Sequence, residues 1–289
     1  MTRAGDALAS LRGRLAAVSP SAALDAEVLL AHVLGTTRAA LAAAPGRTLA
    51  PSQLKMLETL ALRRIDGEPI AYLTGRRGFW SLELEVTPDV LVPRPETELV
   101  VELALGALAQ VSRPAVLDLG TGSGAIALAI ARERDDAAIT AVDASAAALE
   151  VARRNAERLG IGNVRFHRGS WYEPVGAGRF DAIVSNPPYV AEDDPALAAL
   201  VHEPRLALVA GRDGLDAIAE VCASAGVHLR PGGALLVEHG ATQGAAVRRL
   251  MSDAGLTGIA TQRDLAGHER VSTGIAPPQA LELAGNEES

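Results

Sequence analysis

The sequence of 289 residues is poor in cysteine, with Cys222 alone, and in aromatic residues, which make up 3% of the chain. A single thiol excludes an internal disulfide framework and a metal site made only of thiolates, and it is typical of a reducing compartment. Charge, glycine or proline interrupts the apolar runs well before the roughly 18 residues needed to span a bilayer. The first residues also lack the pattern of a signal peptide. We therefore expect a cytoplasmic protein without a membrane partner.

An excess of basic residues is also absent. The chain carries a net charge of −8, which divides into +2 over residues 1–75 and −10 over residues 76–289. Proteins that bind duplex nucleic acid usually present a basic face that neutralises phosphates. The charge balance therefore argues against a nucleic-acid partner.

Apolar residues make up 48% of the chain, enough to form a sizeable core. The length exceeds that of a typical domain of roughly 100–200 residues, which predicts two domains. In residues 1–72, leucines recur at helical spacing, Ser21 precedes a predicted helix at residues 22–34, and Pro51 and Gly67 bracket another helix. These signals predict a small N-terminal helical bundle.

Alternating apolar and polar residues at 82–86 predict a β-hairpin linker within residues 73–95. Over residues 96–277, strand-like runs alternate with helical segments, a pattern typical of an α/β domain with a parallel sheet. The predicted strands are residues 115–119, 138–142, 164–167, 180–185 and 234–238, followed by a terminal antiparallel hairpin at 257–262 and 270–275. The predicted helices are residues 125–132, 146–159 and 241–254, and residues 278–289 are predicted to form a disordered tail.

A glycine-rich loop at residues 118–124, Asp-Leu-Gly-Thr-Gly-Ser-Gly, follows the first of these strands and opens a helix. Glycines allow a tight turn and a close approach to a ligand, and the start of a helix offers free N–H groups. About 20 residues later, Asp143 ends the next strand, where a carboxylate can accept hydrogen bonds from ribose hydroxyls. A ligand-free turn is the alternative interpretation of the loop taken alone.

The spacing of the glycines distinguishes two cofactors. An NAD site has the same acidic residue but prefers Gly-x-Gly-x-x-Gly, which binds a pyrophosphate. Here the third glycine, Gly124, comes one residue early, and Asp118 precedes the loop. This spacing resembles that of methyltransferases, whose cofactor carries no phosphate, and it favours S-adenosylmethionine over NAD. Trp171, after the third strand, is placed to pack against the adenine ring, with core packing as the alternative.

The fourth strand ends in the turn Asn186-Pro187-Pro188-Tyr189, at the sheet edge where ligands bind in such folds. Two prolines fix φ and lack N–H donors, so the rigid turn offers carbonyl acceptors. A planar NH₂ group can donate to the side-chain oxygen of Asn186 and to the carbonyl of Pro187. These bonds favour a pyramidal, electron-rich nitrogen that can attack a methyl sulfonium without a metal. Tyr189 would stack on the planar group or form a wall of the pocket.

The same two acceptors can bind the exocyclic amine of adenine as well as a side-chain amide. An adenine-N6 nucleic-acid methyltransferase is therefore the main alternative, although such an enzyme must also flip the base and bind phosphates. A non-catalytic cofactor-binding module of the same fold is a second alternative, but it has no need of the turn at Asn186. A dehydrogenase is the third, and the glycine spacing disfavours it.

Five motifs occur in one order along the chain. They are Pro-Arg-Pro-Glu-Thr-Glu at 93–98, the glycine loop at 118–124, Ala-Val-Asp at 141–143, Asn-Pro-Pro-Tyr at 186–189 and Leu-Val-Glu-His-Gly at 236–240. The set resembles the HemK-type peptide-chain-release-factor glutamine methyltransferases over residues 68–275, approximately. The resemblance implies a class I S-adenosylmethionine-dependent methyltransferase fold, Rossmann-like, with a mostly parallel seven-stranded sheet and a small N-terminal helical domain. It further implies methylation of the side-chain nitrogen of the Gln in a release factor's Gly-Gly-Gln motif.

The resemblance also implies residue roles and a partner. The cofactor-binding residues would be Gly120, Thr121, Gly122, Ser123, Gly124, Asp143, Trp171 and Asn186. The substrate-binding residues would be Asn186, Pro187, Pro188 and Tyr189, and the catalytic ones Asn186, Pro187 and Tyr189. The helical domain would bind the release factor, no metal is expected, and a monomer is expected. The roles of Arg94, Glu96, Glu203, Arg205, Glu238 and His239 stay open.

Overall fold

The structure, a computed structural model, describes residues 2–278. The predicted tail at residues 278–289 lies outside the described residues, apart from Pro278. Within residues 2–278, no helix combines the length and the apolar character needed to cross a membrane.

Five helices form the N-terminal part. They are α1 (Ala4–Leu15), α2 (Ala22–Val33), α3 (Arg38–Ala43), α4 (Pro51–Ile65) and α5 (Ile70–Thr74). Pro51 opens α4, and the Gln53 side chain accepts a hydrogen bond from the Ala50 N–H at 2.9 Å, which satisfies a donor at the start of the helix. The leucines at helical spacing meet in a core of their own, centred on the fully buried Leu15, Leu29 and Leu30. Gly75, with φ of 71°, adopts the left-handed conformation that ends α5.

A two-stranded antiparallel sheet follows, formed by β1 (Arg76–Phe79) and β2 (Leu82–Glu85). Its apolar residues Phe79, Leu82 and Leu84 are buried in a core of the α/β domain. The hairpin therefore packs on the α/β domain and supports it.

The central sheet has seven strands in the order β5-β4-β3-β6-β7-β9-β8. They are β3 (Ala115–Leu119), β4 (Ala138–Asp143), β5 (Val164–Arg168), β6 (Phe180–Ser185), β7 (Leu229–Glu238), β8 (Thr257–Arg263) and β9 (Glu269–Ile275). The first five pair in parallel, whereas β9 is antiparallel to both β7 and β8. The predicted fold class, a mostly parallel seven-stranded α/β fold, is confirmed. β7 begins at Leu229, five residues before the predicted start. The predicted start was too late because Pro231, Gly232 and Gly233 are typical of a turn.

Helices cover both faces of the sheet. They are α6 (Glu98–Ala107), α7 (Ala125–Glu133), α8 (Ala146–Leu159), α9 (Asp216–His228) and α10 (Gly244–Asp253). α6 and α7 pack in the core on one face, and α9 and α10 pack in the core on the other. The sequence pattern did not predict α6 and α9.

From β3 the chain continues to β4 and then to β5, toward one edge of the sheet. From β6 it continues to β7 and then to the β8–β9 pair, toward the opposite edge. The strand order therefore reverses beside β3, whose neighbours are β4 and β6. In open α/β sheets a ligand crevice forms outside the carboxyl ends of the strands at such a point.

Candidate active site

A cavity of about 410 Å³ lies at the carboxyl ends of β3, β4 and β6. Eight of the predicted site residues line it: Gly120, Thr121, Gly122, Ser123, Asp143, Trp171, Asn186 and Pro188. Three others, Gly124, Pro187 and Tyr189, do not line this cavity. Its volume is that of a typical small-molecule site.

The charge of the lining residues is of one sign. Four carboxylates line the cavity, those of Asp89, Asp143, Asp216 and Glu220, whereas no Lys or Arg occurs among the lining residues that the structure describes. An anionic phosphate is disfavoured in such surroundings, and a cationic ligand is favoured.

Asp143 holds the glycine loop in place. Its Oδ2 accepts a hydrogen bond from the Gly122 N–H at 2.8 Å, and its Oδ1 accepts one from the Ser145 N–H at 2.8 Å. Gly122 has φ of 55°, a conformation that side chains disfavour, so the loop needs glycine there. Each carboxylate oxygen retains a further lone pair that a ligand hydroxyl can use.

Asp118 lies beneath the same loop and is fully buried. Its Oδ2 accepts hydrogen bonds from the Thr121 hydroxyl at 2.6 Å and the Ala127 N–H at 3.2 Å, whereas its Oδ1 has no partner among the described residues. Burial raises the pKa of this carboxyl group to about 7. A buried carboxylate with an unused oxygen is suited to pair with a cation or an ammonium group.

Trp171 lies against the glycine loop, since a Cβ atom placed on Gly120 would be 3.8 Å from its ring. Its φ of 44° is in the left-handed region, which is rare for a bulky side chain. Such strain persists only where the surrounding structure imposes it, and it is concentrated at functional sites.

The Asn186 side chain is held by one contact and leaves one atom free. Its Nδ2 donates a hydrogen bond to Thr97 Oγ1 at 3.0 Å. Its Oδ1 is buried and has no donor among the described residues. A buried acceptor without a donor costs about 1–3 kcal/mol. Because Asn186 lines the cavity, a bound N–H group can remove this cost.

Tyr189 points to a buried carboxyl group. Its hydroxyl donates to Glu238 Oε1 at 3.3 Å, and Glu238 is 1% exposed. Burial raises the pKa of Glu238 to about 7, while the Thr97 hydroxyl and the charge of Arg270 lower it. Tyr189 thus contributes to the site through contacts behind the cavity.

The segment of residues 190–211 forms one wall of the cavity. It contacts the segment before α6 and the N-terminal helical part. Glu203 accepts a hydrogen bond from the Val92 N–H at 3.0 Å and forms a salt bridge with Arg94. His202 Nε2 lies 3.1 Å from the carbonyl oxygen of Asp66, just after α4. The motif residue Arg94 therefore anchors this wall.

His239, next to Glu238, is fully buried with both ring nitrogens in use. Nδ1 lies 2.9 Å from the Gly240 carbonyl oxygen, and Nε2 lies 2.9 Å from Ser272 Oγ. The residue has a structural role at the end of β7.

Sequence reasoning missed Thr97 and Asn155. Thr97 stands inside the motif at 93–98, but nothing in the sequence indicates that it meets a residue 89 positions away. Asn155 is a buried polar residue on the apolar face of α8, and that position is the signal which could have identified it. Its Nδ2 donates to the carbonyls of Ser123 at 3.0 Å and Glu85 at 2.9 Å, and its Oδ1 accepts from the Glu85 N–H at 2.6 Å.

Replacing Asn155 with leucine leaves three backbone groups of the hairpin and the glycine loop without partners. We expect a loss of about 2–4 kcal/mol in the free energy of unfolding, measured by urea denaturation. Asn163 is the matched control, because its side chain bonds the carbonyls of Arg134 and Ala137 away from the cavity. Cofactor affinity should fall in Asn155→Leu and not in Asn163→Leu. Equal effects of the two substitutions would contradict the assigned link to the glycine loop.

Comparison with known proteins places this site in a family. Residues 98–212 match the model of the methyltransferase small domain, and residues 6–75 match that of the PrmC N-terminal domain. A crystal structure of a methyltransferase from Pyrococcus furiosus shares the fold, with a TM-score of 0.52 at 22% identity, covering 76% of this chain and 99% of that one.

Close relatives carry one name. The chain is 51% identical to the release factor glutamine methyltransferase of Xylella fastidiosa, over 88% of this chain and 93% of the relative. It is 50% identical to that of Burkholderia pseudomallei, over 90% and 94% respectively. The resemblance inferred from the five motifs is confirmed. With half of its residues shared across nearly the whole length of these relatives, the protein belongs to the release factor glutamine methyltransferase family.

Proposed function

We propose that this protein transfers a methyl group from S-adenosylmethionine to the side-chain amide nitrogen of the Gln in the Gly-Gly-Gln motif of peptide chain release factors. The observation that carries the proposal is the buried Oδ1 of Asn186, a cavity-lining residue, which has no hydrogen-bond donor within residues 2–278. The names of the relatives at 50–51% identity support the substrate.

The lining of the cavity fits S-adenosylmethionine. When bound, this cofactor supplies an electrophilic methyl group on a positively charged sulfur. The acidic lining suits that charge, and Asp143 retains lone pairs for the ribose hydroxyls. The loop residues Gly120 to Ser123 and the ring of Trp171, which line the cavity, would hold the rest of the cofactor.

The turn at Asn186 would prepare the substrate nitrogen. The side-chain oxygen of Asn186 and the carbonyl of Pro187 would each accept one N–H of the glutamine amide. Two such bonds weaken the resonance of the amide and raise the electron density on nitrogen. A nitrogen prepared in this way would accept the methyl group that the bound cofactor supplies, and one N–H proton of the amide would be released to solvent. Acceptors held in advance cost no reorganisation during this step.

The helical part would bind the release factor. Two features support this role: its net charge of +2 against −10 for the rest of the chain, and the contact of His202 with Asp66, which joins it to the cavity wall. A monomer and a cytoplasmic location remain predictions.

The proposal is tested with labelled S-adenosylmethionine and three acceptors: a release factor, the same factor with the Gln of Gly-Gly-Gln replaced by Asn, and duplex DNA. We expect label only in the first. In Asn186→Ala, labelling of the release factor should be about 1,000-fold slower, and the other two acceptors should stay unlabelled. Label in DNA but not in the release factor would favour the adenine-N6 alternative and reject the proposal.

A further inference from the structure

The side chain of Gln243, at the start of α10, holds several backbone groups around the Asn-Pro-Pro-Tyr turn. Its Oε1 accepts a hydrogen bond from the Gly240 N–H at 2.8 Å, just after β7. Its Nε2 lies 3.1 Å from the carbonyl oxygens of Tyr189 and Asp213, and 3.3 Å from that of Gly214. Because a carbonyl only accepts and an N–H only donates, these partners fix the orientation of the carboxamide. Gln243 therefore joins the last residue of the turn to the end of β7 and to the loop before α9.

The packing around this carboxamide is close enough to require glycine. Gly214 has φ of 75°, and a Cβ atom placed on it would lie 2.2 Å from the Tyr189 carbonyl oxygen and 2.9 Å from Gln243 Nε2. A Cβ atom on Gly240 would lie 2.9 Å from Gln243 Oε1. Glycine permits such a close approach of the backbone. Two segments of the chain are thus shaped around the carboxamide and the Tyr189 carbonyl, which a side chain lying in solvent does not require.

The conformation of the turn depends on how its two ends are held. The two prolines have no N–H by which the middle of the turn could be tied to the rest of the protein. The end at Asn186 continues β6, which pairs with β3 and β7. At the other end, Gln243 donates to the carbonyl of the peptide group between Tyr189 and Val190, and the N–H of the same group donates to the Leu208 carbonyl at 2.8 Å. The direction of the carbonyl between the two prolines therefore depends on these contacts.

We propose that Gln243 is a positioning residue for the methyl transfer: by holding the Tyr189 carbonyl, its side-chain amide keeps the Pro187 carbonyl in place for the substrate amide. The inference rests on the proposed function, in which that carbonyl is one of the two acceptors for the glutamine N–H groups. Gln243 is not among the cavity-lining residues that the structure describes, so it acts through the turn and not on the substrate. A displacement of about 1 Å at a reacting group can cost about 100-fold in rate.

The first test, Gln243→Glu, separates the two ends of the side chain. The carboxylate has the same shape and still accepts from the Gly240 N–H, but it has no N–H for the Tyr189 carbonyl. We expect the kcat for release-factor methylation to fall about 10–100-fold, while the KM for the release factor and the affinity for S-adenosylmethionine stay within a few-fold of the wild type. Gln262→Glu is the matched control, because it adds the same charge at an exposed position of β8.

A structural role at the start of α10 predicts a different result. If Gln243 served only to accept from the Gly240 N–H, Gln243→Glu would keep the wild-type kcat, and that outcome would overturn the proposal. An equal loss of kcat in Gln262→Glu would do the same. Gln243→Met, which is neutral and of similar length, removes both ends of the carboxamide, and we expect its kcat to fall about 10–100-fold as well.

A measurement without turnover separates this inference from the proposed function. Amide hydrogen exchange reports the two ends of Gln243 through the N–H groups of Val190 and Gly240. In Gln243→Glu the Val190 N–H should exchange about 10-fold faster while the Gly240 N–H stays protected, and in Gln243→Met both should exchange faster. If these changes occur while the wild type labels no release factor, the proposed function fails and the contact of Gln243 with the turn stands. If the release factor is labelled and the Val190 N–H exchanges at the wild-type rate in Gln243→Glu, the positioning role is rejected.

Discussion

Asn186→Ala should lower the kcat for release-factor methylation by about 1,000-fold, the upper range for removal of one preorganised hydrogen-bonding group. The substitution removes the buried Oδ1, which has no hydrogen-bond donor among the described residues. It thereby removes one of the two proposed acceptors for the substrate amide. Cofactor binding, measured by calorimetry, should stay within a few-fold of the wild type, because the glycine loop and Asp143 lie on other strands.

Ser185→Ala provides the control for this result. It removes a buried hydroxyl from the preceding residue, one that bonds the carbonyl of Leu119 and does not line the cavity. We expect a small change in stability and a kcat close to that of the wild type. A kcat for Asn186→Ala above a tenth of the wild-type value would show that the Asn186 oxygen is not the acceptor on which the reaction depends.

Asp143→Ala should weaken the binding of S-adenosylmethionine by about 100-fold, which corresponds to about 3 kcal/mol. The substitution removes both 2.8 Å hydrogen bonds that hold the N–H groups of Gly122 and Ser145, so the loop loses its preformed shape as well as an acceptor for the ribose. Calorimetric titration of the folded variant with S-adenosylmethionine measures the change.

Asp136→Ala is the control for Asp143. Asp136 also accepts a hydrogen bond from a backbone N–H, that of Arg113 at 2.9 Å, but it is exposed and does not line the cavity. Its replacement should leave the affinity unchanged. Unaltered affinity in Asp143→Ala would instead place the cofactor elsewhere in the cavity.

Many helices and strands of the α/β domain can be predicted from the local sequence pattern. The predicted strand at residues 180–185 and the predicted helix at 146–159 agree with β6 and α8, because turn signals and apolar periodicity mark their ends directly. The predicted start of β7 was wrong because Pro231 and two glycines suggest a turn. In the structure these residues belong to a long strand, beside a register shift against β6. Local rules fail where tertiary pairing outweighs them.

The residues of the site also divide into those that local sequence pattern predicts and those that it does not. The glycine loop, Asp143 and the turn at Asn186 follow strands directly, and because parallel strands end at one edge of a sheet, the sequence order alone predicts that they meet. Thr97, Glu203 and Asn155 join the site from 32 to 111 positions away in the chain, and no periodicity encodes such a contact.

The Asn-Pro-Pro-Tyr turn illustrates the final distinction. The sequence by itself determined its chemistry, since two prolines and a carboxamide have few conformations and a known set of donors and acceptors. Only the tertiary structure decided the orientation of that chemistry: Nδ2 of Asn186 binds Thr97, Oδ1 is left for a ligand, and Tyr189 turns to Glu238 behind the cavity. The physical reason is that a side-chain amide can face either way, and the choice depends on buried partners that only packing brings together.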